Sequence, residues 1–277
     1  MRASLRAAAV FGAALGCANA QWLNYPARGI PRTRDGKPDL TAPAPRDRSR
    51  KPAISGLWQT ESAPRELRAR LIPDATNGAG EEPLSQYFIN IFADFPPGEE
   101  PLRPAAAAEL RERAKNFARE SPLSHCLPEG MPLVEMAPAP YKIVETPGLT
   151  LMLYERGTIF RQVYTDGRKL PVDPQPAWMG YSVGKWQGDA FVVDSTGFND
   201  RGWLDARGHN HSEALHLTER FHRLDFGHME VQLTIDDPQT YTRPFTITLK
   251  QNLLADSDVL ESFCAENEKD ASHTAGK

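Results

Sequence analysis

From Tyr141 onward the chain is built of short β-branched and aromatic runs divided by turn residues, a pattern that restricts the fold more than any other feature. The runs predict strands at 141–146, 149–155, 158–165, 179–186, 190–197, 214–223, 228–235, 245–251 and 259–265. With the earlier segment around Trp58, about ten strands are available. Arg156-Gly157, Asp166-Gly167 and Gly188-Asp189 supply the positive-φ positions of tight hairpins, so neighbouring runs pair antiparallel. Met229, Val231, Leu233 and Ile235 alternate with Glu230, Gln232, Thr234 and Asp236, and Phe245, Ile247 and Leu249 repeat the pattern. A sheet of that size removes its exposed edges by closing. The expectation is therefore an all-β chain forming a single antiparallel up-and-down β-barrel, lipocalin- or calycin-like, with an open β-sandwich as the alternative.

The segment before the strands divides into three. Residues 1–20 read as an export signal: Arg2 and Arg6, an apolar run from Ala7 to Gly16, then Ala18-Asn19-Ala20 before Gln21. Lipidation at Cys17 is disfavoured, because no large aliphatic residue stands three positions before it. Residues 21–53 carry many prolines and charges without periodicity and predict an extended arm. The barrel domain then spans 54–277, with a helical insertion at about 83–119. Its helices are expected at 83–95, where Leu84, Tyr87, Phe88, Ile91, Phe92 and Phe95 recur at helical spacing, and at 104–119, opened by Pro104.

Export implies a periplasmic or secreted protein, and no later stretch has the run of apolar residues that a spanning helix requires. Thirty-two basic against 36 acidic side chains, with no basic cluster, exclude a nucleic-acid binder. In an oxidising compartment Cys126 and Cys264 are expected to form a disulfide, in preference to a catalytic thiol at Cys126 beside His125.

Five of the seven histidines, His209, His211, His216, His222 and His228, fall in one short stretch together with Glu213, Glu219 and Asp225. Asp200, Trp203 and Asp205 lead into it, a mixture that acid–base sites use. The catalytic candidates are His211 and His216 as proton carriers, with Asp200 and Glu213 orienting them. Tyr181, Trp203, Trp178, Trp186 and Phe160 are the candidate substrate-binding residues. His209, His211 and Glu213 share parity on an extended segment, which is also metal-ligand spacing, with a third ligand from Asp200, Asp205 or His216. The plain alternative leaves His209 and His211 on an exposed loop, His222 and His228 at strand ends, and Glu219–Arg220 as a surface ion pair. Asn210-His211-Ser212 also fits a glycosylation sequon. Gly180-Tyr181-Ser182-Val183-Gly184 matches the nucleophile-elbow pattern, but the following hairpin residues give it no helix, so Ser182 reads as a strand residue.

The chain resembles a large family of exported, mostly uncharacterised bacterial proteins common in acidobacterial and proteobacterial genomes. The resemblance rests on Asp35-Gly36-Lys37-Pro38-Asp39-Leu40, Cys126-Leu127-Pro128-Glu129-Gly130, Glu145-Thr146-Pro147-Gly148, the 161–168 and 178–184 runs, and above all Gly197 to Asp205 followed by His211 to His216 and Glu219-Arg220-Phe221. The family pattern has proline where Asn210 stands and varies at the place of His209. It implies export and points to His211, Glu213 and His216; it implies no reaction.

Two functions follow as expectations. One is a cofactor-independent enzyme doing general acid–base chemistry of the lyase, isomerase or hydrolase type on a small organic molecule. The other is a non-catalytic, lipocalin-like carrier of an apolar ligand, lined by Trp178, Trp186, Phe160 and Tyr181. A histidine and carboxylate metal enzyme is the third option.

Overall fold

Gly148 and Gly188, at φ of 78° and 63°, turn the chain back on itself in conformations that other residues rarely adopt, and each sits between two strands that pair along their length. The computed structural model describes residues 26–47, 50–72 and 83–264. The expected signal segment, Cys17 and the first part of the arm lie outside them. Nine strands close into one barrel: β1 (Gly56–Thr60), β2 (Tyr141–Thr146), β3 (Leu149–Tyr154), β4 (Ile159–Tyr164), β5 (Tyr181–Gln187), β6 (Ala190–Thr196), β7 (His216–Arg223), β8 (His228–Asp236) and β9 (Phe245–Leu253). Each strand pairs with its neighbour in sequence, and β9 returns to β1 through Trp58↔Leu253.

The strand predicted at 259–265 does not form in the described residues. β9 already uses both edges, one for β8 and one for β1, so no ladder is left for it to join. The segment instead runs over the outside as a strap, with the Leu260 amide donating to Glu155 and the Ser262 amide to Thr158. Its last described residue, Cys264, is bonded to Cys126 as expected. The pairing also departs from a purely antiparallel sheet: β4 and β5 run parallel over Val163↔Ser182 and Tyr164↔Val183. An odd number of strands cannot close with every neighbour antiparallel. The connection 165–180 therefore carries the chain back along the barrel before β5 begins.

The helices lie between β1 and β2: α1 (Arg65–Leu71), α2 (Gln86–Ile89), α3 (Pro104–Lys115), α4 (Phe117–Glu120) and α5 (Leu133–Met136). The helix expected over 83–95 is cut to the single turn of α2. Ser85 caps it by accepting from the Phe88 amide, and Asn90 then takes an extended conformation. The Ile91 amide donates to the Asp205 carboxylate at 2.7 Å, so tertiary contact replaces the next helical hydrogen bond. The helix predicted at 104–119 breaks at Asn116 and resumes as α4.

Alternation fills the barrel. Met229, Val231, Leu233 and Ile235 on β8 face Phe245, Ile247 and Leu249 on β9, all buried. Trp58, Tyr141, Ile143, Met152, Phe191, Leu217 and Phe221 join them in one core cluster. Each such side chain contributes about 1.5–3 kcal/mol when removed from water. The interior is thus a packed core and not the open calyx that the carrier reading requires. The arm from Pro26 wraps the outside, held by Arg32 on Asp256 and Arg46 on Asp189, and by the Gly227 amide on the Leu40 carbonyl.

Candidate functional site

Charge sits inside this barrel, at positions that sequence parity assigns to the core. Arg161 on β4 reaches across to Glu219 on β7, Nη1 to Oε1 at 2.9 Å and Nη2 to Oε2, and both side chains are essentially inaccessible. Its Nε donates to Ser182 at 3.0 Å and Nη2 also to Ser195 at 2.8 Å, while Nη1 also faces the Met131 and Met152 sulfurs at 3.9 Å. Glu219 is therefore not the surface partner of Arg220, which is exposed and donates to Gln187. Glu135 on α5 joins from the side, accepting from the Tyr141 hydroxyl at 3.3 Å, while its Oε2 has no hydrogen-bond partner. Burial, and then the neighbouring Glu219 carboxylate, push the Glu135 carboxyl well above its usual range, a direction that favours the neutral acid. Ser182 accepts from Arg161 and Ser195 inside this network, which accounts for the nucleophile-elbow pattern as packing. The cluster is enclosed and acts on the fold.

No hydrogen bond or ion pair among the described residues joins any two of the four predicted catalytic residues. His211 is buried, its Nδ1 3.1 Å from the Ser212 carbonyl and its ring at an edge to Phe198. Burial pushes its pKa below the ordinary value, against the weaker pull of the Ser212 carbonyl and of Asp237 and Asp200. His216 is half-exposed, with Nε2 3.6 Å from Asp194. Glu213 and Asp200 are exposed. Among the described residues no three histidine, cysteine or acidic side chains come together in a way that holds a metal ion.

The predicted binding residues also separate. Phe160 points outward, 59% exposed, and Tyr181 stacks on Tyr164 outside the wall. Trp186 packs on Phe191, Trp178 lies under Arg201, and Trp203 under Arg113 and beside Phe117. His228 is bonded to Asp225, and exposed His222 lines an outer groove with Asp189 and Glu230. Asn210 of the sequon donates to Glu109, and the disulfide at Cys126 removes the thiol reading.

One imidazole and one carboxylate of the same stretch do meet. Asp205 is fully buried and accepts from the Ile91 amide at 2.7 Å, the Arg207 amide at 2.9 Å and the His209 amide at 3.2 Å. So well supplied with donors, it is an acceptor only, and His209 Nδ1–H donates to its Oδ2 at 2.6 Å. The local turn explains the arrangement: Leu204 N–H bonds the His209 carbonyl and Trp203 bridges Asn210, so residues 205 to 209 loop back over the carboxylate. Phe92 meets the ring edge-on at 4.9 Å. The ring borders a cavity of about 280 Å³ between α2 and α3, whose polar wall is Asn90, Glu100, Arg111 and Arg207 and whose apolar wall includes Phe92, Leu102 and Leu110.

The sequence pattern includes His209 but assigns the proton-carrying role to His211 and His216, and it offers Asp205 as one carboxylate of the stretch and as a candidate metal ligand. The four-residue spacing from Asp205 to His209 was the available signal. Compared with protein-family models, curated proteins and solved structures, the chain finds no match in any of the three.

Proposed function

We propose that this is an exported enzyme that carries out cofactor-independent acid–base chemistry on a small anionic organic molecule, with His209 as the proton carrier. The observation that carries the reading is the 2.6 Å bond between His209 Nδ1 and a buried Asp205 beside a cavity. With Nδ1 protonated and engaged, Nε2 keeps the lone pair that a base needs. The imidazolium formed on proton uptake is stabilised by Asp205 and returns the proton to another atom of the same substrate, or to a departing hydroxide. Isomerisation and elimination of water balance on these terms from the substrate alone, and hydration balances with solvent water as the second reactant. Arg111 and Arg207 give the cavity wall the charge that retains a carboxylate.

Export is supported by the leader-like start of the sequence, by the disulfide, and by the resemblance to exported bacterial proteins. That resemblance varies at the place of His209, so the reading concerns this chain's own chemistry and not the family's. Solvent deuterium exchange into a panel of small carboxylic acids, followed by NMR, tests it. A substrate turned over by the wild type should lose its exchange by about 100-fold or more in His209→Gln, with the melting temperature little changed. Exchange that survives His209→Gln in a folded variant overturns the reading.

A further inference from the structure

A second cavity adjoins the face of Trp203. It measures about 240 Å³ and is walled by Phe88, Phe117, Leu133, Trp203 and Ala206, with Ser121 and Glu129 as polar members. Beside it lies an outer cavity of about 450 Å³ bordered by Leu127, Ile159, Phe263 and the disulfide; Leu123, Glu129 and Arg156 border both. None of its lining residues is shared with the His209 cavity.

Three features define what fits there. The first is size: an apolar cavity of roughly 150 Å³ accommodates benzene, so the inner space suits one to two fused rings. The second is exposed rim surface. Phe117, Leu123, Leu127 and Phe263 are 39%, 42%, 42% and 50% exposed, so large apolar side chains that a folded chain ordinarily covers gather around this one opening. The third is charge balance. Glu129, only 7% exposed, is bound by Arg156 through both carboxylate oxygens, so the polar wall carries no net charge. A charged ligand gains nothing there. A neutral ligand with one donor does gain, because a carboxylate held by arginine keeps lone pairs free to accept.

We propose that this cavity binds a neutral aromatic molecule of one to two fused rings bearing a single hydrogen-bond donor, with the rings against Trp203 and Phe117 and the donor on Glu129. The site is independent of the His209 chemistry. Calorimetric titration of 2-naphthol tests it, with 2-methoxynaphthalene as the ligand that lacks the donor.

The wild type should bind 2-naphthol saturably at one site and 2-methoxynaphthalene at least fivefold more weakly. Ala206→Leu, which fills the inner space from its wall, should weaken 2-naphthol at least tenfold. His209→Gln should leave binding unchanged. If Ala206→Leu fails to fold, Leu133→Phe fills the same space and takes its place. Absence of saturable binding, equal affinity for the two ligands, unchanged binding to the filled variant, or loss on His209→Gln in its stead each overturns the proposal.

Discussion

Glu135 shows how much a single buried side chain decides. Its Oε2 has no hydrogen-bond partner, and burial, then Glu219, raise the carboxyl well above its ordinary value in the fold. The unfolded chain releases this proton above the ordinary value of 4.5, whereas the folded chain retains it. Folding therefore binds the extra proton, and stability falls as pH rises from 4.5 toward the raised folded value. Glu135→Gln should remove this dependence, gaining on the wild type by about 1–3 kcal/mol at mildly alkaline pH, as urea unfolding at pH 5 and pH 8 would report. A variant less stable than wild type at both pH values contradicts the assignment. The charged core itself was legible in principle: Arg161 shares parity with Val163, and Glu219 with Leu217 and Phe221. Treating charge as a mark of the surface concealed it, because only the partner across the barrel makes burial tolerable. No partner across a barrel can be read from spacing along the chain.

At the scale of elements, strands were legible and short helices were not. The β8 and β9 alternation placed each inward residue correctly, since a period of two has one solution once a face is buried. The helix expected over 83–95 had the right apolar spacing but lost its second half, because Asp205, more than a hundred residues on, takes the Ile91 amide. That contact also builds the candidate site, so the element missed and the residue undervalued are one event. Between strands, Arg161 and Glu219 tie β4 to β7 through the core. Removing only the arginine strands a carboxylate in the interior, so Arg161→Met should cost about 3–5 kcal/mol. Arg161→Met combined with Glu219→Leu should recover most of that loss in chemical denaturation. A double variant as unstable as the single one would show that the pair itself holds the barrel together.

For the whole molecule, closure and the disulfide determine what surface remains for function. A filled barrel places the His209 and Trp203 cavities outside it, against the helical insertion, and the strap that Cys264 fastens to Cys126 borders the outer cavity next to Trp203's. The disulfide spans 138 residues, and replacing both cysteines by serine should lower stability by about 2–5 kcal/mol, read as a lower urea midpoint; an unchanged midpoint would make the strap dispensable. The sequence conveyed the barrel and the cysteine pairing, since each rests on local pattern or simple counting. It did not convey which of five histidines meets a carboxylate, because that depends on how one turn folds against α2. The account rests on that meeting, and nitrogen-15 NMR of the histidine rings in the intact protein tests it most directly. Asp205 should hold the neutral His209 ring in the Nδ1-protonated tautomer, with Nε2 unprotonated. A neutral His209 carrying its proton on Nε2, or one whose ring signals ignore Asp205→Asn, would contradict it.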